Sequence, residues 1–200
     1  GAEGARALGE SIPRHGSLAE LDLRGNNIGT DGALALAEAL ARNCSLVKLD
    51  LEMNRIGSSG AGAVADALPG NSSLAELSLC RNGIGDDGAR MLGEALPHNS
   101  SLGKLSLQEN GIGVDGAGGL AEGISRGSSL AELSLNGNNI GADGMKLLAE
   151  ALVRNASLTA LHVDNWPDRD ETRSLLECNR NELKLARAWI QAEHMPSFYP

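Results

Sequence analysis

A 28-residue period governs this chain. The segment SLAELDLRGNNIGTDGALALAEALARNC from Ser17 aligns with SLVKLDLEMNRIGSSGAGAVADALPGNS from Ser45, and further copies begin at Ser73, Ser101 and Ser129 without insertion. A sixth copy begins at Ser157 and departs at Trp166, where the earlier copies carry Asn138, Asn110, Asn82, Asn54 and Asn26. Self-similarity at a fixed period of this length marks a stacked-repeat architecture, in which no unit buries its own apolar face and neighbours bury it for one another.

Within a unit the apolar spacing changes. Leu21 and Leu23 alternate with Glu20, Asp22 and Arg24, which is the period-two signature of a strand with one buried face. NNIGTDG follows as a turn. Ala33, Leu36, Ala37 and Leu40 then recur at three-to-four spacing, predicting a one-faced helix with Asp31 placed to cap its start. Each unit therefore reads as strand, turn and short helix. Aromatics make up only 2% of the chain, so the core is built from Leu, Ile, Val and Ala.

The pattern LxxLxLxxNxIGxxGAxxLAxAL, which runs through residues 17–165 almost without a gap, resembles the leucine-rich-repeat family in its ribonuclease-inhibitor-like class. The resemblance implies a curved α/β solenoid, a right-handed β-α superhelix with parallel strands on the concave face and helices on the convex face. It also implies that Asn26, Asn54, Asn82, Asn110 and Asn138 form a buried ladder bonded to neighbouring backbone turns. Such a role suits asparagine, since buried backbone turns leave polar groups in need of partners.

The units expected are 17–44, 45–72, 73–100, 101–128 and 129–156, with the start of a sixth at 157–165. Residues 1–16 read as the helix half of another regular unit, because Gly4, Ala5, Leu8 and Ile12 stand one full period before Gly32, Ala33, Leu36 and Leu40. That half-unit leads us to expect a piece of a longer repeat protein. Residues 166–200 read as a C-terminal cap and tail, since Trp166 and Pro167 break the repeat and Trp166, Trp189, Phe198 and Tyr199 all lie there. Phe198 and Tyr199 in MPSFYP could alternatively serve as a docking tail.

The formal net charge of -9 argues against a general affinity for nucleic acid or anionic membrane and mildly favours a basic partner. No apolar run approaches the roughly 20 residues of a membrane span, and GAEGARALGE has neither segment of a secretory signal. Cys44, Cys80 and Cys178 are odd in number and lack metal-binding spacing, which suits reduced thiols in an intracellular, cytoplasmic setting. Sequons begin at Asn43, Asn71, Asn99 and Asn155, but they recur with the repeat where each helix runs into the next strand, which makes them structural rather than glycosylation signals.

Several motifs lose their force against the repeat. GIGDDG at 83–88 and GIGVDG at 111–116 match a dinucleotide loop literally, yet sister units put Asn27, Arg55 and Asn139 at the first glycine, and Asp87 and Asp115 would face the pyrophosphate. His15, His98, His162 and His194 have no metal-ligand spacing. His162 and Asp164 share the strand register but lack a Ser or Cys to complete a nucleophilic site. Asp164, Asp168, Asp170 and Glu171 are acidic without a calcium-loop pattern. No catalytic residue, cofactor or metal is expected.

What remains is the outward side of the strands. Equivalent positions form columns on strands roughly 4.8 Å apart. One reads Glu20, Lys48, Glu76, Lys104, Glu132, then Ala160; a second Asp22, Asp50, Ser78, Ser106, Ser134, His162; a third Arg24, Glu52, Cys80, Gln108, Asn136, Asp164. The leucine framework is constant while the second and third columns vary, so this concave surface is the candidate site for a protein partner, in a non-catalytic recognition scaffold. The face has no aromatic anchor. Relatives by resemblance include ribonuclease inhibitors, sensing domains of nucleotide-binding innate-immune receptors, activators of the Ran GTPase and bacterial effectors. Regulation of a small GTPase is therefore one alternative, and a structural spacer or a sequence regularised by design is another.

Overall fold

Strand and helix alternate along the chain once per repeat unit. The computed structural model describes residues 1–164, so the cap expected over 166–200, its aromatics, and Asp168, Asp170, Glu171, Cys178 and His194 lie outside the described residues. The helices are α1 (Ala2–Ser11), α2 (Gly29–Arg42), α3 (Gly57–Ala67), α4 (Gly85–Ala95), α5 (Val114–Ser125) and α6 (Gly141–Arg154). The strands are β1 (Glu20–Asp22), β2 (Lys48–Asp50), β3 (Glu76–Ser78), β4 (Lys104–Ser106), β5 (Glu132–Ser134) and β6 (Ala160–His162).

All six strands form one parallel sheet in sequence order, and each residue pairs with its equivalent in the next unit, as Glu20 with Lys48 and Leu77 with Leu105. Each helix packs on the next. Neighbouring strands sit about 4.8 Å apart, whereas helices with ordinary side chains need about 8–10 Å, so stacking such units bends the array with the sheet on the inner side. Leu46, Leu74, Leu102 and Leu130 from the strand entries, Leu51, Leu79, Leu107 and Leu135 from the strand exits, and Ile56, Ile84 and Ile112 from the turns fill the space between the two layers at 0–1% exposure.

Helix length follows from one residue per unit. Pro13, Pro69 and Pro97 end their α-helices in short 3-10 turns, because proline cannot donate into the helix and clashes with the preceding turn. Ala41 and Val153 occupy the equivalent position in α2 and α6, which both run for 14 residues.

The expected cap at Asp31 is not formed. The α2 helix opens earlier, at Gly29, with Ile28 at the N-cap position and no side-chain cap bond. Asp31 lies in the first turn, where its charge suits the helix dipole, and pairs with Arg6 of α1 at 3.2 Å. The start is set instead by the turn backbone: Gly29, Gly57 and Gly85 adopt φ of 63–69° and donate their N–H groups to the carbonyls of Asn54, Asn82 and Asn110 in the next unit.

The unit at 101–128 departs from this scheme at both ends of its helix. Gly113 is extended rather than left-handed, and its N–H goes to the Asp86 carboxylate at 2.6 Å. Asp86 also accepts the Gly116 N–H at 3.0 Å. At the far end Gly127, with φ 101°, stands where sister units have Asn43, Asn71, Asn99 and Asn155.

Candidate protein-binding face

The outward face of the sheet is an organised set of ion pairs. Lys48 Nζ lies 3.6 Å from Glu76, Lys104 Nζ lies 2.9 Å from Glu132, and His162 Nε2 lies 3.6 Å from the same Glu132 carboxylate. Alternation of charge along this column puts opposite signs at strand spacing, where identical units would place like charges. The hydrogen bond to Glu132 holds the Lys104 ammonium above its ordinary pKa. These side chains are a third to a half exposed, so each pair is individually weak.

The third column leaves the strands and continues along the turn. Arg24 donates to Asp22 at 2.9 Å and lies 3.5 Å from Asp50, so three charges from two units converge. Arg81 bridges Glu52 at 3.6 Å and Glu109 at 2.6 Å. The Arg24 side chain holds the Asp22 carboxyl below the usual range, and the Arg81 side chain does the same for Glu109. Arg81 and Glu109 sit just beyond the columns read from the sequence, at φ of 55° and 52°. Alternation alone did not reach them, because the chain has left the extended conformation by that point.

Not every outward position is available to a partner. Ser134 and Cys80 are buried at 4% and 5%. The Cys80 sulfur packs 3.3 Å from Gln108 Oε1 and 3.7 Å from Ser78, and burial pushes its thiol pKa up. Ser78, Ser106, Gln108 and Asn136 are half-buried, while Glu20, Asp22, Arg24, His162 and Asp164 at the two ends are exposed. His162 and Asp164 are not brought together: His162 faces Glu132, and the Asp164 carboxylate accepts the Gly137 N–H.

Beneath this face run two asparagine series. In the first, each Oδ1 accepts the backbone N–H of the asparagine one unit earlier: Asn54 from Asn26, Asn82 from Asn54, Asn110 from Asn82 and Asn138 from Asn110, all at 2.9 Å. Each Nδ2 donates back to a leucine carbonyl of the preceding unit, as Asn82 to Leu51 at 2.9 Å. Asn54, Asn82 and Asn110 are buried at 0–3%; Asn138 is half-buried and Asn26 exposed.

The second series is Asn43, Asn71, Asn99 and Asn155, the sequon asparagines. Their Oδ1 atoms accept the N–H groups that open the next strand segment, Ser45 and Leu46 from Asn43 and their equivalents in the other units, at 2.7–3.0 Å. Their amides donate to buried carbonyls such as Leu40 and Leu68. Burial at 3–5% removes the nitrogen that glycosylation would need from solvent. The signal for this role was visible as asparagines recurring at one position in four of the five full units, with Gly127 in the other; what each one bonds is a property of the packed units.

The repeat model described as "Leucine Rich repeat" matches residues 17–37, 42–65, 70–93, 98–121 and 128–149, more than half of the chain. The chain belongs to the leucine-rich-repeat family. No curated protein matches it by sequence. Among solved structures, this leucine-rich-repeat chain is similar to the actin-binding site 2 domain of leiomodin-1, at 19% identity and TM-score 0.59, covering 94% of this chain and 96% of that one. It is similar also to the C-terminal domain of a Caenorhabditis elegans tropomodulin, at 14% identity and TM-score 0.55 with the same coverage. At such identities the likeness is one of fold.

Turn geometry disposes of the phosphate-loop matches in the leucine-rich repeats. Gly83 and Gly111 have φ of 66° and 71°, and Asn27 and Arg55 at the same positions have 52° and 57°, so the glycine serves a turn common to the units. The helix start that GIGVDG would offer to a phosphate is occupied by the Asp86 carboxylate. Among the described residues, no three His, Cys, Asp or Glu side chains gather to hold a metal ion, and no helix is long and apolar enough to cross a membrane. An open groove of ≈ 690 Å³ between α1 and α2 has Leu34 and Ala35 in its lining and Arg6, Arg42, Asp31 and Glu38 around it. Arg6 pairs with Asp31 and Arg42 with Glu38, and with Arg14 and Glu10 also in the lining three bases stand against three acids, leaving the groove without a net sign to select a ligand.

Proposed function

We propose that this leucine-rich-repeat chain is a non-catalytic recognition scaffold that holds a protein partner on the outer face of β1–β6. The observation that carries the reading is the contrast between a constant leucine framework and side chains that change from unit to unit on one continuous surface. Lys48, Glu52, Glu76, Lys104 and Glu132 have ion-pair partners on neighbouring units before any ligand arrives, which lowers the ordering cost of binding through them. Across the three columns seven acids (Glu20, Asp22, Asp50, Glu52, Glu76, Glu132, Asp164) stand against three permanent bases (Arg24, Lys48, Lys104), so a partner with a basic surface fits best.

The repeat unit with its LxxLxLxxN strand supports assignment to the ribonuclease-inhibitor-like class. Shared fold with a leiomodin-1 domain named for binding actin makes actin the first partner to assay. Filament co-sedimentation tests that candidate directly. For the face itself, partner binding by the wild-type chain is compared with the variant E76K/K104E/E132K, its fold checked by circular dichroism. Loss of binding supports the site; unchanged binding removes it.

A further inference from the structure

Asparagine is followed by glycine at three places in this chain, Asn82-Gly83, Asn110-Gly111 and Asn136-Gly137. Such a pair carries a reaction of its own, because glycine has no Cβ to shield its backbone nitrogen from the side-chain amide of the asparagine before it. Attack requires that amide to be free to turn toward the nitrogen, and the solenoid treats the three pairs differently.

Two of the amides are locked. Asn82 Oδ1 accepts the N–H groups of Asn54 and Ile56 at 2.9 and 3.3 Å, and its Nδ2 donates to the Leu51 and Cys80 carbonyls at 2.9 and 3.0 Å. Asn110 makes the same four bonds one unit on, with Asn82, Ile84, Leu79 and Gln108. Both residues are buried, at 3% and 2% exposure, so turning either amide toward its glycine strands polar groups away from water.

The third amide is free. Asn136 lies in the third column of the outer face, half-buried, and its side chain bonds to none of the described residues. Gly137 is exposed, with φ of 74°. At the same turn position Gly25, Met53, Arg81 and Glu109 donate their N–H groups to backbone carbonyls of the next unit. The Gly137 N–H leaves that series and donates to the Asp164 carboxylate. The one nitrogen that follows a free amide therefore lies against a proton acceptor.

We propose that Asn136 is a site of spontaneous deamidation on the outer face, and that Asn82 and Asn110 are protected from the same reaction while the chain is folded. The Gly137 nitrogen yields its proton to the Asp164 carboxylate and bonds to Asn136 Cγ. The bond from Cγ to Nδ2 breaks, and Nδ2 leaves as ammonia with that proton, which closes a succinimide ring. Water then adds to either ring carbonyl and opens the ring to aspartate or isoaspartate. A neutral amide thus becomes a carboxylate, adding one negative charge to the column that ends in Asp164.

The test incubates the full wild-type chain at mildly alkaline pH and follows the three pairs by peptide mapping with mass spectrometry. In the folded chain Asn136 is expected to convert about a hundredfold faster than Asn82 or Asn110, since each buried amide must first give up several hydrogen bonds. In denaturant the three rates should become alike, because only the fold separates them. Asp164→Ala should slow conversion of Asn136 about tenfold in the folded chain. Equal rates at the three positions in the folded chain, or a ranking that survives in denaturant, overturn the proposal. Unchanged conversion in the Asp164→Ala variant overturns the part given to Asp164.

Discussion

The carboxylate of Asp86 accepts the backbone N–H of Gly113, one unit further along the solenoid, at 2.6 Å. With the Gly116 N–H as a second donor, Asp86 satisfies orphan groups at the start of α5 from the neighbouring unit, and the local turn abandons the left-handed glycine used elsewhere. Thr30 and Ser58 hold this position in earlier units, and Thr30 donates to the Ile56 carbonyl instead. Asp86→Ala is expected to cost about 1–2 kcal/mol and to speed exchange at the Gly113 and Gly116 amides. A stability loss with those two amides unaffected would show that the contact does not anchor the helix.

Glycine has opposite consequences at two positions of the same helix. A Cβ at Gly123 would fall on the Gly93 carbonyl of α4, a backbone group that cannot rotate away. At Gly118 it would meet a Leu147 methyl at 3.3 Å, the far end of a mobile side chain. Gly123→Ala should therefore destabilise by about 2–3 kcal/mol through overpacking. Gly118→Ala should gain up to about 1 kcal/mol from helix propensity. Chemical denaturation of the two variants compares them directly.

The first asparagine series predicts a graded cost. Asn82→Ala strips the acceptor from the Asn54 and Ile56 N–H groups and the donor from the Leu51 and Cys80 carbonyls, all away from water. The expected loss is about 2–4 kcal/mol. Asn26→Ala removes bonds to Leu23 and Arg24 at an exposed site where water can replace them, and should cost under about 1 kcal/mol. Equal losses would mean that burial does not set the value of the series.

Arg81 lowers the Glu109 carboxyl pKa through a side-chain hydrogen bond. A carboxyl pKa lowered by folding contributes stability above its unfolded value, and the contribution is lost as pH falls through the folded one. Glu109 should thus titrate below an ordinary glutamate in the native chain when followed by NMR, and Arg81→Ala should return it to the ordinary range. Lys104 runs the other way: its pKa is raised by Glu132, so its share of stability is present at neutral pH and fades as pH rises through the folded value. Both effects should shrink in high salt, as exposed pairs do.

The alternation of Glu20, Leu21, Asp22 and Leu23 and the three-to-four spacing from Ala33 to Leu40 carry strand and helix within a single unit, and five repetitions make the stack unavoidable, since one unit cannot bury its leucines. The columns of charge were equally legible, because parallel strands in register align equivalent residues of successive units. Other features were not. Asp31 reads as a cap, yet the helix begins where the turn backbone meets the next unit's asparagine carbonyl. Asn43 and its equivalents read as structural from their recurrence, yet the strand-opening amides that they bond and their burial between units come only with packing. Asp86 looks like a variable surface position until α5 is packed beside it. Local periodicity depends on one unit's chain, so it is written in the residues; caps, buried amides and the pairing of Arg81 with both Glu52 and Glu109 depend on what the adjacent unit presents at a few ångströms, which exists only once the units are stacked.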